Sequence, residues 1–538
     1  MDVKTCLCKL LIEHSAQKIL NRAGQRALVV VDYSSPNVAK PFHLGHFRAT
    51  VTGNFIRNLN EAAGHRVISV NYLGDWGTQF DLLTEGWKIY GNEEELVTDP
   101  VRHLNKIYVQ MNTERGKRPL SVTSAGVVPS ASTAPVLNPS DFSLWKRFRQ
   151  LTMEHLKKTY ARMNVQFTTF EYESDYVQPA HLVVQRLLDS NIAVRDKDGV
   201  TCIPANSFGD GSQRIVLLKS NNSTLYLTRD LAAAISRYER YHFDRIHYVV
   251  EDGQRLHFNQ LRSILQRMGY SWAAPEFPPD SNPDECRPPS DLHIPFGRVQ
   301  GVSTRQGEGL FLSDILDNAQ QTVLGRMARS PTTRTSASSS SSDTSVADHL
   351  AVTCLAVEML RKTRQKPIWL HSFLGYPLVA ESTPLADYTD LSGLGLQYCH
   401  ARLCSLERRA VDRQCISPQP DNDVSVKQSS VLNLVHRLDA LSLLPPGTGS
   451  HPAFMELLQH LNHFPDALRT SYANYEASTI VQYATRLTSH VNSAWKQLPV
   501  LNCEQDAEKL LRLGLFIASR NTLATCLRLL GVHPLCSI

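Results

Sequence analysis

The stretch "VVVDYSSPNVAKPFHLGHFRAT", Val29 to Thr50, sets two imidazoles, His43 and His46, three residues apart where a run of valines gives way to helical periodicity. At that spacing both rings lie on one face of a helix's first turn, beside amides that have no partner within the helix. Such a place suits an anionic phosphate, because the free amides and the helix dipole both favour negative charge. Gly45 removes a side chain between the histidines and opens the backbone to a flat base or ribose. A metal centre is not expected, since no third convincing ligand lies nearby. The bland alternative for the pair is a solvated helix face, and position in the fold decides between the two.

Ala27 to Val31 reads as a short buried strand, and Phe47, Val51, Phe55, Leu59 and Ala62 recur near every fourth residue, the stripe of an amphipathic helix. Gly64 offers a left-handed stop, and "RVISVNYLGDWG" a second strand running into a turn. Strand, helix and strand in this order make a right-handed parallel crossover, the opening unit of a doubly wound, Rossmann-type α/β sheet. The histidines then sit at the carboxyl edge of the first strand, where such sheets bind ligands. "RIVLLKS" and "RIHYVVED" are further strands, with the helix "RDLAAAISRYERY" between them. Ser121 to Ser140 and Pro275 to Pro289 read as loops, and Arg329 to Asp343, "RSPTTRTSASSSSSD", as a disordered low-complexity linker. From about Leu396 leucine and valine stripes predict an all-α bundle.

The chain has 538 residues, 42% apolar and 20% charged, enough for two or three domains with their own cores. No apolar run reaches the roughly 18 residues of a membrane-spanning helix, so no membrane partner is expected. Its 11 cysteines have no paired zinc-type spacing, and their odd number rules out a complete intrachain disulfide framework, which fits a reducing compartment. A net charge of +5 permits a polyanionic partner without demanding one. The first twenty residues carry Lys4 and Lys9 but also Asp2 and Glu13, with few serines and no arginine, and make a poor transit peptide.

"FHLGH" matches the HxGH signature of class I aminoacyl-tRNA synthetases, and the wider sequence resembles the arginyl-tRNA synthetase family. The resemblance is carried by "SSPNVAKPFHLGHFRAT", "NYLGDWGTQF", "LYLTRDLAAA", "FGRVQGVSTRQGEGLFLSDIL" at the position of the KMSKS-type loop, and "LQYCHARLCSLE" opening the anticodon-binding helices. It implies a short N-terminal segment (1–26), a class I catalytic domain with insertions (27–328), a divergent linker (329–395) and a helical anticodon-binding domain (396–538). The implied reaction joins L-arginine to tRNA(Arg) through arginyl-adenylate. ATP enters as a substrate with its Mg2+, and no tightly bound cofactor is needed. A monomer in the mitochondrial matrix is the implied form, with the cytoplasm as the alternative. Another class I synthetase or nucleotidylyltransferase, and a non-catalytic tRNA-binding descendant, are the competing readings.

By the same resemblance His43, Gly45 and His46 bind ATP together with Ser303, Thr304 and Arg305, and His46 also lies near the carboxylate end of arginine. Guanidinium recognition calls for carboxylates that meet two donors at once, and Asp32 and Asp230 are the candidates. Tyr226, four residues before Asp230, shares its helix face, and Ser35, Pro36, Asn37 and Gln254 complete the implied arginine pocket. Asp230 as a helix cap and Tyr226 as a core residue are the plain alternatives. Asn71, Asp75 and Trp76 fall in the neighbourhood of the nucleotide. Gln306 stands where many members of the family have lysine, and Lys40 could supply the missing cation, which would make Lys40 and Arg305 catalytic beside His43 and His46. Residues 396 to 538 carry 13 Lys and Arg against 11 Asp and Glu, so anticodon reading would rest on stacking and shape, with Tyr472, Tyr475, Tyr483 and Trp495 as candidate stacking groups. The N-terminal domain usual in the family is not expected here, and residues 116–140 and 329–390 depart from its pattern.

Overall fold

The computed structural model describes residues 3–13, 15–20, 26–38, 40–117, 139–205, 214–273, 288–300, 311–329, 341–369, 392–413, 424–440 and 449–538. The strands in chain order are β1 (Leu28–Tyr33), β2 (Arg66–Leu73), β3 (Thr169–Tyr172), β4 (Val194–Arg195), β5 (Thr201–Ile203), β6 (Ile215–Leu218), β7 (Arg245–Glu251), β8 (His293–Phe296), β9 (Val299–Gln300) and β10 (Ile368–Trp369). The principal sheet runs β3-β2-β1-β7-β8 and every pairing in it is parallel. From β1 the chain first builds outward through β2 and β3, then returns to place β7 and β8 on the other side. The carboxyl ends of β1 and β7 therefore form the crevice where the winding reverses. β6, the "RIVLL" strand, belongs instead to a small antiparallel sheet, β4-β5-β6.

β1 explains its own sequence. Val29, Val30 and Val31 are all fully buried; Val29 and Val31 enter one core with Phe47 and Phe55 of the helix Leu44–Ala62, while Val30 enters the other with Ile68 and Val70. A parallel strand covered on both faces needs apolar residues at both parities, hence a continuous run rather than alternation. The helix ends as expected, with Gly64 at φ 88°.

The structure differs from the sequence expectation between 329 and 395. Ser341–Leu360 is a helix whose Ala351, Cys354, Leu355 and Val357 are fully buried, packed between the helices Leu312–Arg329 and Ser392–Asp412. It is apolar around most of its circumference, so it shows no 3.6-residue stripe to betray it. The C-terminal part is helical as expected: Ser392–Asp412, Val424–Ala440, Pro452–Asn462, Phe464–Asn474, Ala477–Gln497 and Asp506–Leu529. The N-terminal helix Val3–Glu13 docks on this bundle, where Lys4 Nζ donates to the Asp439 carbonyl at 2.8 Å and Leu7 packs beside Gly514. No helix among the described residues is long and apolar enough to cross a membrane.

Candidate active site

β1 ends at Asp32 and Tyr33, and the next two residues, Ser34 and Ser35, both lie in the left-handed region at φ 72° and 42°. Non-glycine residues there are strained and persist where surrounding contacts hold them. The Ser34 hydroxyl is bonded to Tyr160 OH at 2.8 Å and Thr50 Oγ1 at 2.7 Å; Ser35 Oγ donates to Asp32 Oδ1 at 2.8 Å and accepts the Tyr72 amide at 3.2 Å. The turn throws Pro36 and Asn37 across the sheet edge, where Val38 N bonds the Gly74 carbonyl at 2.9 Å. Asn37 turns its side chain back onto Gly74, where a Cβ would meet Asn37 Oδ1 at 2.0 Å.

His43 is the N-cap of Leu44–Ala62. Its Nδ1 accepts the Gly45 amide at 3.0 Å, and His46 Nδ1 accepts the His43 amide at 3.4 Å, a capping box made of two histidines. Because Nδ1 accepts in both rings, the neutral tautomer of each carries its proton on Nε2. Burial lowers the pKa of His43, and that of His46 falls well below its ordinary value through burial, then His43 and Lys40. The pair is thus held neutral with two Nε2–H donors to spare, suited to phosphate oxygens. Gly45 has a nearer purpose than the one expected of it: a Cβ there would meet His43 Cε1 at 2.8 Å, so its bareness seats the His43 ring. Lys40 is half-buried, with its pKa lowered by burial, and close enough to His46 to act on it. Ser303, Thr304, Arg305 and Gln306 lie outside the described residues.

The two candidate carboxylates have different surroundings. Asp32 is 3% exposed, with Oδ1 taken by Ser35 and Oδ2 by Arg237 Nη1 at 2.8 Å; Arg237 in turn donates from Nε to Glu171 at 2.8 Å. Against expectation, then, Asp32 serves an internal guanidinium, because a buried arginine needs its charge matched from within. Asp230, on the helix Tyr226–Tyr241, is no cap: the N-cap is Leu225. Its Oδ2 meets His257 Nε2 at 2.7 Å, both side chains about a quarter exposed at 23% and 25%. Tyr226, 66% exposed, shares that helix face and is not core. Gln254 is exposed in the turn after β7, at the N-cap position of the helix Arg255–Arg267 that carries His257 but with no capping bond from its side chain. The β1 turn and the β7 turn thus bracket the crevice.

Three residues at the crevice were missed in the sequence. Glu173, just past β3, is buried against Arg229 at 2.7 Å; burial pushes its carboxyl up to about 7 against the pull of Arg229, with Asp230 and Asp75 adding to the rise. Tyr72 OH is buried without a partner among the described residues, and its pKa is raised well above the usual value by burial and then by Asp230 and Glu173. His257 is the third. A signal did exist, since Tyr72 and Glu173 stand at carboxyl ends of predicted or real strands, as Asp32 does. Asp75 is fully buried and structural: its carboxylate takes Ser174 N at 2.9 Å, Ser174 Oγ at 2.8 Å and Arg149 Nη1 at 3.1 Å.

In the helical part, Tyr472, Tyr475 and Tyr483 are not free to stack on a base. They are 1%, 0% and 6% exposed; Tyr472 OH bonds His65 at 2.7 Å, and Tyr475 OH bonds Asn60 and, at 3.3 Å, His247, tying the bundle to the sheet domain. Trp495 keeps partial exposure, with the Arg402 guanidinium 4.0 Å from its ring centroid, and Tyr398, one helical turn before Arg402, is 48% exposed.

The catalytic-domain model of class I tRNA synthetases for arginine (R) matches residues 7–369, and the DALR anticodon binding domain matches 396–538. A Mus musculus protein named probable arginine–tRNA ligase, mitochondrial, is 34% identical over 94% of this chain and 78% of its own length. A Saccharomyces cerevisiae protein named arginine–tRNA ligase, cytoplasmic, is 33% identical over 94% of this chain and 76% of its own. The fold is shared with arginyl-tRNA synthetase of Plasmodium falciparum, at TM-score 0.69 and 20% identity, over 100% of this chain and 82% of that one. With a paired-histidine helix cap at the sheet's switch point, an acid-lined crevice beside it and both family models matched in order, the chain belongs to the arginyl-tRNA synthetases of class I.

Proposed function

We propose that the chain joins L-arginine to tRNA(Arg) in two steps. The carboxylate of arginine attacks the α-phosphorus of ATP and expels pyrophosphate; a terminal ribose hydroxyl of the tRNA then attacks the carbonyl of arginyl-adenylate and expels AMP. Neither step needs a covalent enzyme intermediate, so positioning and charge neutralisation carry the catalysis. The Nε2–H groups of His43 and His46 and the ammonium of Lys40 face the phosphates, assisted by Ser303, Thr304 and Arg305. Mg2+ arrives with the nucleotide.

The observation that carries the amino-acid assignment is the state of Asp230. Of the acids at the crevice, Asp32 and Glu171 are paired with Arg237 and Glu173 with Arg229, while Asp230 meets, among the described residues, only a histidine. It is the carboxylate left to receive a substrate guanidinium, with Tyr226 on its flank, the Tyr72 hydroxyl nearby, and Gln254, Ser35, Pro36 and Asn37 at the rim. The exposed Tyr398 and the Arg402–Trp495 stack offer the bundle an aromatic, cationic face for an anticodon base. Action as a monomer is part of this proposal. The mitochondrial matrix is the compartment proposed, supported by mitochondrial relatives from mouse and yeast; immunolocalisation decides it against the cytoplasm, to which a yeast relative of similar identity is assigned by name. Transfer of labelled arginine to a tRNA(Arg) transcript tests the function, and absence of transfer alongside normal adenylate formation would restrict the chain to the first step.

A further inference from the structure

Arg48 lies two residues after His46 on the same helix and is 1% exposed, yet no carboxylate pairs with it among the described residues. Burial pushes its pKa down to about 10, with Glu476 opposing from a distance. Its guanidinium is spent on three backbone carbonyls: Nη1 donates to Gly297 O at 2.6 Å, and Nη2 to Arg364 O at 3.0 Å and Lys366 O at 2.7 Å. Holding a buried cation on peptide oxygens alone is costly unless the geometry it fixes matters.

What it fixes is the chain just before residues 301–310. Gly297 opens the stem that runs through β9, and β9 pairs with β10, the strand just after Lys366. Gly297 N also bonds the Arg364 carbonyl at 2.9 Å, and the two chains touch so closely that a Cβ at Gly297 would lie 2.5 Å from Lys366 O. On the other side, the Leu312 amide bonds the carbonyl of Phe42 at 2.8 Å, one residue before His43. Gly297 before residues 301–310 and Leu312 after them are therefore both tied to the histidine motif, by Arg48 after His46 and by Phe42 before His43. The hub reaches the helical bundle as well, because the Arg364 amide donates to the Glu476 carboxylate at 3.1 Å.

We propose that Arg48 is a positioning residue for adenylate formation, setting Gly297 and the strand β9 after it in register with His43 and His46; this rests on the function proposed above. The three carbonyls are met from two nitrogens of a planar fork, and the single ammonium nitrogen of lysine cannot occupy both places. In Arg48→Lys, pyrophosphate exchange per active site, counted by adenylate burst, should fall about 10²-fold, the scale of a small misplacement of reacting groups. Arginine affinity by equilibrium dialysis should change less than about threefold, because the acid-lined crevice is untouched. A purely structural Arg48 would instead reduce the burst amplitude and leave the rate per active site as in the wild type. Gly297→Ala, which pushes Lys366 away while keeping Arg48, should give the same signature, and the double variant should lose little more than either single one. It also decides the matter should Arg48→Lys not fold. A wild-type rate per site in either soluble variant overturns the proposal, whereas a wild-type chain that forms no adenylate from arginine, with tRNA(Arg) present, overturns the functional reading beneath it.

Discussion

His43 and His46 stack on one another with ring centroids 4.0 Å apart, each ring accepting a backbone amide on Nδ1 at the start of the same helix. One histidine pair thus caps the helix and presents two donors, so the structural and chemical roles are superposed but separable. Asparagine is among the strongest N-caps but has no Nε2–H at that reach. His43→Asn should leave stability within about 1 kcal/mol by urea unfolding while lowering adenylation about 10²-fold. A variant that loses stability and keeps its rate would make His43 a cap alone.

Lys40 acts on His46 from the turn before the helix, half-buried, where desolvation strengthens its field. Lys40→Ala should lower the adenylation rate about 10² to 10³-fold with little effect on arginine affinity, and Gln306→Lys should restore part of that loss. A decrease below about threefold, or a Gln306→Lys effect independent of residue 40, excludes Lys40 as the compensating cation.

Acid should loosen the junction between sheet and bundle through His247. This ring is fully buried, bonded to Asp291 O at 2.8 Å and to Tyr475 OH, and burial pushes its pKa down to about 3. The unfolded chain takes up this proton near pH 6.5 and the native state does not, so the stability is complete above that pH and is lost as pH falls toward about 3. The slope is at most about 1.4 kcal/mol per pH unit. Urea unfolding of His247→Gln between about pH 6 and 4 should be flatter than that of the wild type, and parallel curves would show that His247 titrates alike in both states.

How much of this could be read from residues alone follows the range of the interactions. β1, its helix and β2 were legible because their signals are local: a valine run buried on both faces, a four-residue stripe, a glycine stop. The use of Asp32 was not, because its partner Arg237 is 205 positions away and no spacing announces the pair. The tyrosines failed for the same reason, since a helical stripe cannot say whether Tyr472 and Tyr475 meet RNA or His65 and His247. Ser341–Leu360 hid behind its neighbours, buried on too many sides to look amphipathic and preceded by a serine tract. Asp230 and Tyr226 were placed together on one helix face, but that Asp230, among the described residues, is the crevice acid without an arginine partner emerged only with Arg229 and Arg237 in view.

The central claim, that this crevice selects arginine for activation, is tested most directly by ATP–pyrophosphate exchange with each of the twenty amino acids, with and without tRNA, in the wild type and in Asp230→Asn. The account predicts exchange with arginine alone, and in the variant an arginine affinity weakened by about 2 to 5 kcal/mol, the loss expected when a desolvated partner of a guanidinium is neutralised, with ATP binding unchanged. Exchange driven by another amino acid, or arginine affinity in Asp230→Asn equal to that of the wild type, would contradict it.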